Sequence, residues 1–254
     1  MKNKYVDFIS DEHFLDCVSN LHKAYLKAKN NITKKNFYSN KVDTIKLTFD
    51  STFNEIDEES LIQAEILRQI DKSINNSIGT FHEQILGGIE GFQIGKFSGF
   101  DIKANNDTMF AEIKNKHNTM SSGLAEAVFQ KLARFADDNK KANCYLVQIL
   151  AKKSFNQKWE GIINGKEYSH SRVFKISGDK FYALLSGEED ALLKLYKNIP
   201  IVVKDYLNSI EKSDSIKANS AIDELKDETK TSKRTILDQI TFENYSYYLG
   251  FDKL

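Results

Sequence analysis

Phe97-Ser-Gly-Phe-Asp101-Ile-Lys-Ala-Asn-Asn-Asp-Thr-Met-Phe-Ala-Glu112-Ile-Lys114-Asn-Lys-His-Asn118 is the stretch whose reading decides the fold. It parses as two short strands with a polar connection. The first runs from Phe92 to Ala104 with interruptions at Gly95 and Gly99, and the second from Met109 to Lys114. If Asn105 to Thr108 joins antiparallel strands, Asp101 falls opposite Glu112, and facing Cβ atoms lie about 4.5–5.5 Å apart. Glu112 and Lys114 are two residues apart and share a face, while Ile113 turns into the core. One residue more or less in the turn would undo this register.

Working outward on the C-terminal side, Ser121 to Asp138 predicts a helix. Leu124, Val128, Leu132 and Phe135 fall on one face, and Ser121 or Ser122 is available as N-cap. Asn143 to Leu150 is a nearly continuous apolar run, as a strand covered on both faces requires. Strand, strand, helix, strand makes an α/β (α+β) core, with helices on a mixed sheet. Asn164-Gly165 predicts a hairpin turn. Val173 to Ser177 is a further strand, Gly178 to Leu185 a helix, and Ala191 to Ile210 is helical on both sides of Pro200. Residues 211–233 are the most polar stretch and predict a solvated helix or mobile insertion rather than core. From Ile236 the tail turns apolar and aromatic, which predicts packing on the domain or on a second subunit.

On the N-terminal side, residues 1–35 predict helix, entered at Ser10-Asp11-Glu12. Val42 to Asp50 reads either as an extended piece or as the start of a helix. Asp57 to Ser73 is an amphipathic helix that Asn75-Asn76-Ser77 should break, with a second helix from Ile78 to Ile89. The expected organisation is one domain over 1–210 with its core at about 78–155, followed by a polar insertion and aromatic tail over 211–254.

Composition sets bounds. The chain has 254 residues, 41% hydrophobic and 28% charged, which is ordinary for a globular protein with one sizeable core. Basic and acidic residues number 36 each, so net charge neither demands nor forbids a nucleic-acid partner. No apolar run reaches the roughly 20 residues of a membrane span, and the start has no apolar signal core, so a cytoplasmic protein is expected. Two cysteines, Cys17 and Cys144, are too few for a disulfide framework or zinc cage. No Walker or dinucleotide-binding glycine pattern occurs.

The three polar groups of the opening stretch suit phosphodiester hydrolysis. Carboxylates at Asp101 and Glu112, with a carbonyl oxygen at Ile113, offer the hard donors that Mg²⁺ prefers. Lys114 is placed to position a water and offset charge on the pentavalent phosphate. Lys116, His117 and Asn118 follow directly, where a loop could touch phosphates or base edges. Arg68, Gln69, Lys72, Asn75 and Asn76 are dense in side chains that pair with bases and phosphates. Glu65 and Glu83 read as solvated helical glutamates, with a further metal-side carboxylate as the alternative.

Order and residue type together match the PD-(D/E)xK nuclease core, with Phe100 where the motif name has proline. Phe100-Asp101-Ile with Ala111-Glu112-Ile-Lys114-Asn-Lys-His-Asn-Thr-Met-Ser-Ser resembles the type II restriction endonuclease family that cleaves GGNCC-type sites. The same family is resembled by Ile66-Leu-Arg68-Gln-Ile-Asp71-Lys-Ser-Ile-Asn75-Asn76-Ser-Ile-Gly79-Thr-Phe-His82, by Asp7-Phe-Ile-Ser-Asp, and by Ser169-His-Ser-Arg172 with Asp179-Lys-Phe-Tyr. The resemblance covers roughly residues 5 to 190. It implies a restriction-endonuclease-like core with helical N- and C-terminal additions and Mg²⁺-dependent double-strand cleavage of DNA by a homodimer. Asp101, Glu112 and Lys114 would occupy the catalytic positions, and a cognate DNA methyltransferase would accompany the enzyme. The competing readings are a repair or structure-selective nuclease of the same core, and a DNA-binding module that keeps the fold without catalysis.

Overall fold

Alternation along one strand organises the sheet. The computed structural model describes residues 3–30, 32–95, 99–118, 120–210 and 221–245. Helices come first: α1 (Asp11–Asn30), α2 (Lys34–Ser39), α3 (Thr44–Asn54) and α4 (Glu58–Gly87). The central block is β1 (Phe92–Ile94), β2 (Ile102–Ala104), β3 (Met109–Lys116), α5 (Ser122–Asp138) and β4 (Asn143–Leu150). There follow β5 (Asn156–Lys158), β6 (Gly161–Ile163), β7 (Lys166–Tyr168) and β8 (Val173–Ser177). The chain closes with α6 (Gly178–Ser186), α7 (Ala191–Ser209), α8 (Ala221–Ser232) and α9 (Ile236–Tyr245).

Six strands pair in the order β1-β2-β3-β4-β8-β5. The pairs β3–β4 and β4–β8 are parallel, and the outer pairs are antiparallel. On β3 and β4 the odd-numbered residues Ala111, Ile113, Tyr145, Val147 and Ile149 join a core with Phe14, Val18, Phe81, Ile85 and residues of α6 and α7. The even-numbered Phe110, Cys144 and Leu146 join a second core with Val128, Phe129, Leu132 and Ala136 of α5. This is the predicted mixed sheet flanked by helices, and the period-two pattern is its cause. Ser121 caps α5, its hydroxyl accepting from Leu124 N at 3.3 Å. Asn164 and Gly165, both with positive φ (50° and 77°), make the β6–β7 turn as their sequence predicts.

The chain divides into two compact units: 1–21 with 78–211, and 22–77 with 212–254. The expected catalytic core at about 78–155 lies in the first, which holds the sheet. The second is built around Ile32, Phe37, Val42, Leu47, Leu61, Ile62 and Ile66 with Ala221, Leu225, Ile236 and Ile240.

Three expectations need correction, and one open reading is settled. The helix expected over 1–35 is α1 alone over Asp11–Asn30, with Ser10 Oγ accepting from His13 N at 3.1 Å at its start. Val42–Asp50 resolves as helix, because Asp43 caps α3 by accepting from Lys46 N at 3.0 Å. No break occurs at Asn75-Asn76-Ser77. The Asn75 amide donates to the Asp71 carbonyl at 3.0 Å and Ser77 Oγ to the Ser73 carbonyl at 2.9 Å, so these side chains fold back on the helix and α4 continues. Within the polar 211–233 stretch, α8 buries Ala221 and Leu225 and contributes to core; residues 211–220 and 246–254 lie outside the described residues.

Candidate active site

The β2–β3 ladder pairs Ile102 with Ala111 and Lys103 with Phe110, leaving Asn105 to Thr108 as the connection. Its next step outward sets Asp101 opposite Glu112, the register that the turn length predicts. Asp101 N donates to the Ala111 carbonyl at 3.0 Å, which fixes the backbone just ahead of the start of β2. The Asp101 side chain then crosses to β3, where Oδ2 accepts from Ile113 N at 2.6 Å. Ala111 and Ile113, two apart on one strand, both turn their peptide groups to this edge. The Ile113 side chain meanwhile enters the core.

Glu112 is held by two cations. Lys114 Nζ donates to Oε1 at 2.9 Å and Lys131 Nζ to Oε2 at 2.7 Å. Lys131 comes from α5, between the core residues Val128 and Leu132, so helix packing delivers it to the rim of the sheet. It also donates to the Gly99 carbonyl and sits 4.5 Å from the centroid of Phe100. Lys131 is absent from the sequence-predicted set, since nothing in the spacing of Glu112 and Lys131 marks them as neighbours.

Electrostatics follow from this crowding. Burial raises the Asp101 carboxyl above its ordinary pKa, against the pull of the Ile113 N–H, and the charge of Glu112 adds to the rise. Burial also pushes Glu112 upward, but hydrogen bonds from Lys131 and Lys114 outweigh it and leave this carboxyl below its ordinary value. Glu83 on α4 is half-buried, and its pKa rises first from burial and then from the charges of Asp101 and Glu112. It is therefore not the solvated helical glutamate that its sequence context predicts. Among the described residues no group of three or more His, Cys, Asp or Glu side chains is gathered to hold a metal ion. The inner carboxylates are the Asp101–Glu112 pair, with Glu83 in their field.

The remaining candidates divide. Lys116, His117 and Asn118 continue from the end of β3; His117 N and Nδ1 both lie against the Leu150 carbonyl, at 3.1 and 3.2 Å. Arg68, Gln69, Lys72, Asn75 and Asn76 sit on the part of α4 that belongs to the second unit. Lys72 and Asn76 are exposed there. The Asn75 amide is engaged with Asp71, and Arg68 grips Glu65 through two hydrogen bonds of 2.6 Å each. Gln69 is only 6% exposed; its amide donates to Glu65 and to the Phe37 carbonyl and accepts from Asn40. Gln69 thus stabilises the second unit's core and presents no free edge, and the buried Glu65 is its partner rather than a solvated side chain. Trp159 is buried against Phe129, and Cys144, buried as predicted, has its thiol pushed up to about 12 by burial.

Residues 6–208 match the Eco47II restriction endonuclease family. The chain is 39% identical to the type II restriction enzyme Sau96I of Staphylococcus aureus, over 99% of this chain and 100% of that protein. It is 30% identical to the type II restriction enzyme Eco47II of Escherichia coli, over 80% of this chain and 88% of that one. With a mixed sheet that sets an acidic pair against two lysines, and with similarity that spans nearly its whole length, the chain belongs to the Eco47II restriction endonuclease family and is a type II restriction enzyme acting on DNA.

Proposed function

We propose that this enzyme cleaves both strands of DNA at a GGNCC-type site, with Mg²⁺ as cofactor and Asp101, Glu112 and Lys114 as its catalytic set. The observation that carries the reading is the facing of Asp101 and Glu112 at the β2–β3 edge, with Lys114 on the Glu112 carboxylate. Type II restriction enzymes generally need divalent metal ions. The donors here fit one: they are all oxygen, and Asp101, whose pKa is raised first by burial and then by the charge of Glu112, gains from a cation placed between the two. Asp101, Glu112 and the Ile113 carbonyl would hold the ion. When bound, it supplies charge neutralisation at the phosphate and acidifies water.

The chain's own residues do the rest. The Ile113 N–H fixes the Asp101 carboxylate on the edge shared with Glu112. Glu112 keeps the Lys114 ammonium in place, and Lys114 orients the attacking water and offsets charge on the pentavalent phosphate. Lys131 adds a second positive charge on the same carboxylate.

The GGNCC-type site comes from the family that the sequence resembles. That resemblance also supports a homodimer on a two-fold symmetric site, a cognate methyltransferase that protects host DNA, and action in the cytoplasm. Lys116, His117 and Asn118, together with Arg68, Lys72, Asn75 and Asn76, are proposed as DNA contacts. No helix of the described residues is long and apolar enough to cross a membrane.

The test is digestion of a plasmid with the protein and Mg²⁺, followed by sequencing of the ends. Fixed ends within GGNCC are expected, with Asp101→Ala and Lys114→Ala folded, DNA-binding and inactive. Smeared or merely nicked products, or full cleavage by either variant, would overturn the assignment.

A further inference from the structure

Strand β4 is buried without interruption from Cys144 to Ile149, and the one amide side chain within that buried run is Gln148, 8% exposed. An amide so placed is costly unless it is hydrogen-bonded. Gln148 makes no side-chain hydrogen bond to any described residue, yet neither of its polar atoms is sealed from solvent. Its amide therefore keeps a small contact with solvent in a side chain that is otherwise buried.

The register says where that space is. Gln148 pairs with Lys114 of β3 on one side and with Ser177 of β8 on the other. Side chains paired in this way stand on the same face of the sheet, and neighbouring strands are about 4.8 Å apart. Both neighbours are engaged: Lys114 Nζ with Glu112 Oε1 at 2.9 Å, and Ser177 Oγ with Phe155 N at 2.9 Å and the Phe155 carbonyl at 3.1 Å. Leu146, two residues earlier on the same face and paired with Glu112, is sealed in the core with α5. Gln148 is thus the first polar position on β4 beyond that core, and the one member of its row whose side chain makes no hydrogen bond to a described residue.

We propose that Gln148 is a phosphate-contacting residue of the cleavage reaction, its amide N–H donating to a non-bridging oxygen of the scissile phosphate beside Lys114. An uncharged donor suits this place. It stabilises charge building on the phosphate without drawing Glu112 away from Lys114, as a third cation would. The inference rests on reading Asp101, Glu112 and Lys114 as the cleavage site.

The experiment is single-turnover cleavage of a GGNCC duplex in Mg²⁺, with binding of the same duplex measured in Ca²⁺. Gln148→Met keeps the volume and removes the amide. Its melting temperature should equal or exceed that of the parent, its duplex affinity should stay within about threefold, and its cleavage rate should fall by about 100-fold. Gln148→Glu serves as the second variant; it should cleave more slowly than Gln148→Met at pH 8 and recover relative to the parent as the pH falls and the carboxyl gains a donor proton. A folded Gln148→Met that cuts within threefold of the parent would show an amide that merely meets water and would overturn the proposal. A marked loss of thermal stability would show an internal partner and overturn it too. Lys114→Ala separates the two readings: if it is inactive while Gln148→Met is unimpaired, only this inference fails, whereas active Lys114→Ala removes the site itself.

Discussion

Lys131 Nζ on α5 lies 2.7 Å from Glu112 Oε2 on β3, on the carboxylate whose other oxygen is held by Lys114. Lys131 is 39% exposed, so the pair contributes little to stability and its value is positional. Lys131→Met should leave the fold intact and slow single-turnover cleavage by roughly 10- to 100-fold, since one of the two positive charges held on the Glu112 carboxylate is gone. A cleavage rate equal to that of the parent would reduce Lys131 to a surface ion-pair partner.

Glu83 is predicted to tune the metal requirement rather than perform the chemistry. Its half-buried carboxylate adds negative field at Asp101 and Glu112 without joining them in a tight cluster. Glu83→Gln should therefore raise the Mg²⁺ concentration for half-maximal cleavage by about tenfold, with the saturated rate nearly unchanged. A titration of cleavage against Mg²⁺ checks this; an unchanged midpoint would place Glu83 outside the metal's influence.

Acid should destabilise the sheet-bearing unit through His82. Enclosure lowers its pKa to about 4, and its Nδ1 lies 2.9 Å from the Tyr182 hydroxyl. In the unfolded chain His82 titrates near 6.5, so between about pH 6.5 and 4 the unfolded state binds the extra proton. Stability is fully present above that window and is lost as pH falls through it, by up to about 3 kcal/mol. Denaturant melts at pH 7.5 and 5 should differ for the parent, and less so for His82→Gln.

The β6–β7 hairpin is pinned by a single carboxylate. Glu126 on α5 accepts from the Tyr168 hydroxyl, from Asn164 Nδ2 at 2.7 Å and from Lys166 Nζ at 3.3 Å, and these bonds pull its pKa down to about 2. Glu126→Ala should speed amide exchange across residues 161–168 and leave β3 and β4 protected. Because the carboxyl titrates so low, the latch should survive down to about pH 3.

Legibility in the sequence tracks how local each cause is. The runs of β3 and β4, the Ser121 cap and the Asn164-Gly165 turn are written in adjacent residues, and the structure reproduces them. The facing of Asp101 and Glu112 needed only a turn length. Lys131 reaches the same edge through helix packing, which no spacing rule marks, and Glu83 stands in the sequence only as the lesser of two readings because its burial is a matter of packing too. Continuous α4 was hidden because Asn75 and Ser77 break helices when their side chains compete for the backbone, and here those side chains bond carbonyls one turn back. The second unit draws on Phe37, Ile62, Leu225 and Ile240, segments far apart in the chain that share no local signal. Gln148 lies inside an apolar run, where no neighbouring residue signals its place beside Lys114.

Strand β3 sends Ala111 and Ile113 into one core and turns Glu112 and Lys114 to the opposite face. Selection for a folded molecule and selection for a cutting molecule therefore act on different letters of one eight-residue word. If Glu112 and Lys114 act as proposed, a cell harmed by this nuclease could silence it with a single substitution at either position and still accumulate a well-folded protein. Inactive alleles should accordingly persist as stable, DNA-binding antagonists rather than vanish through degradation.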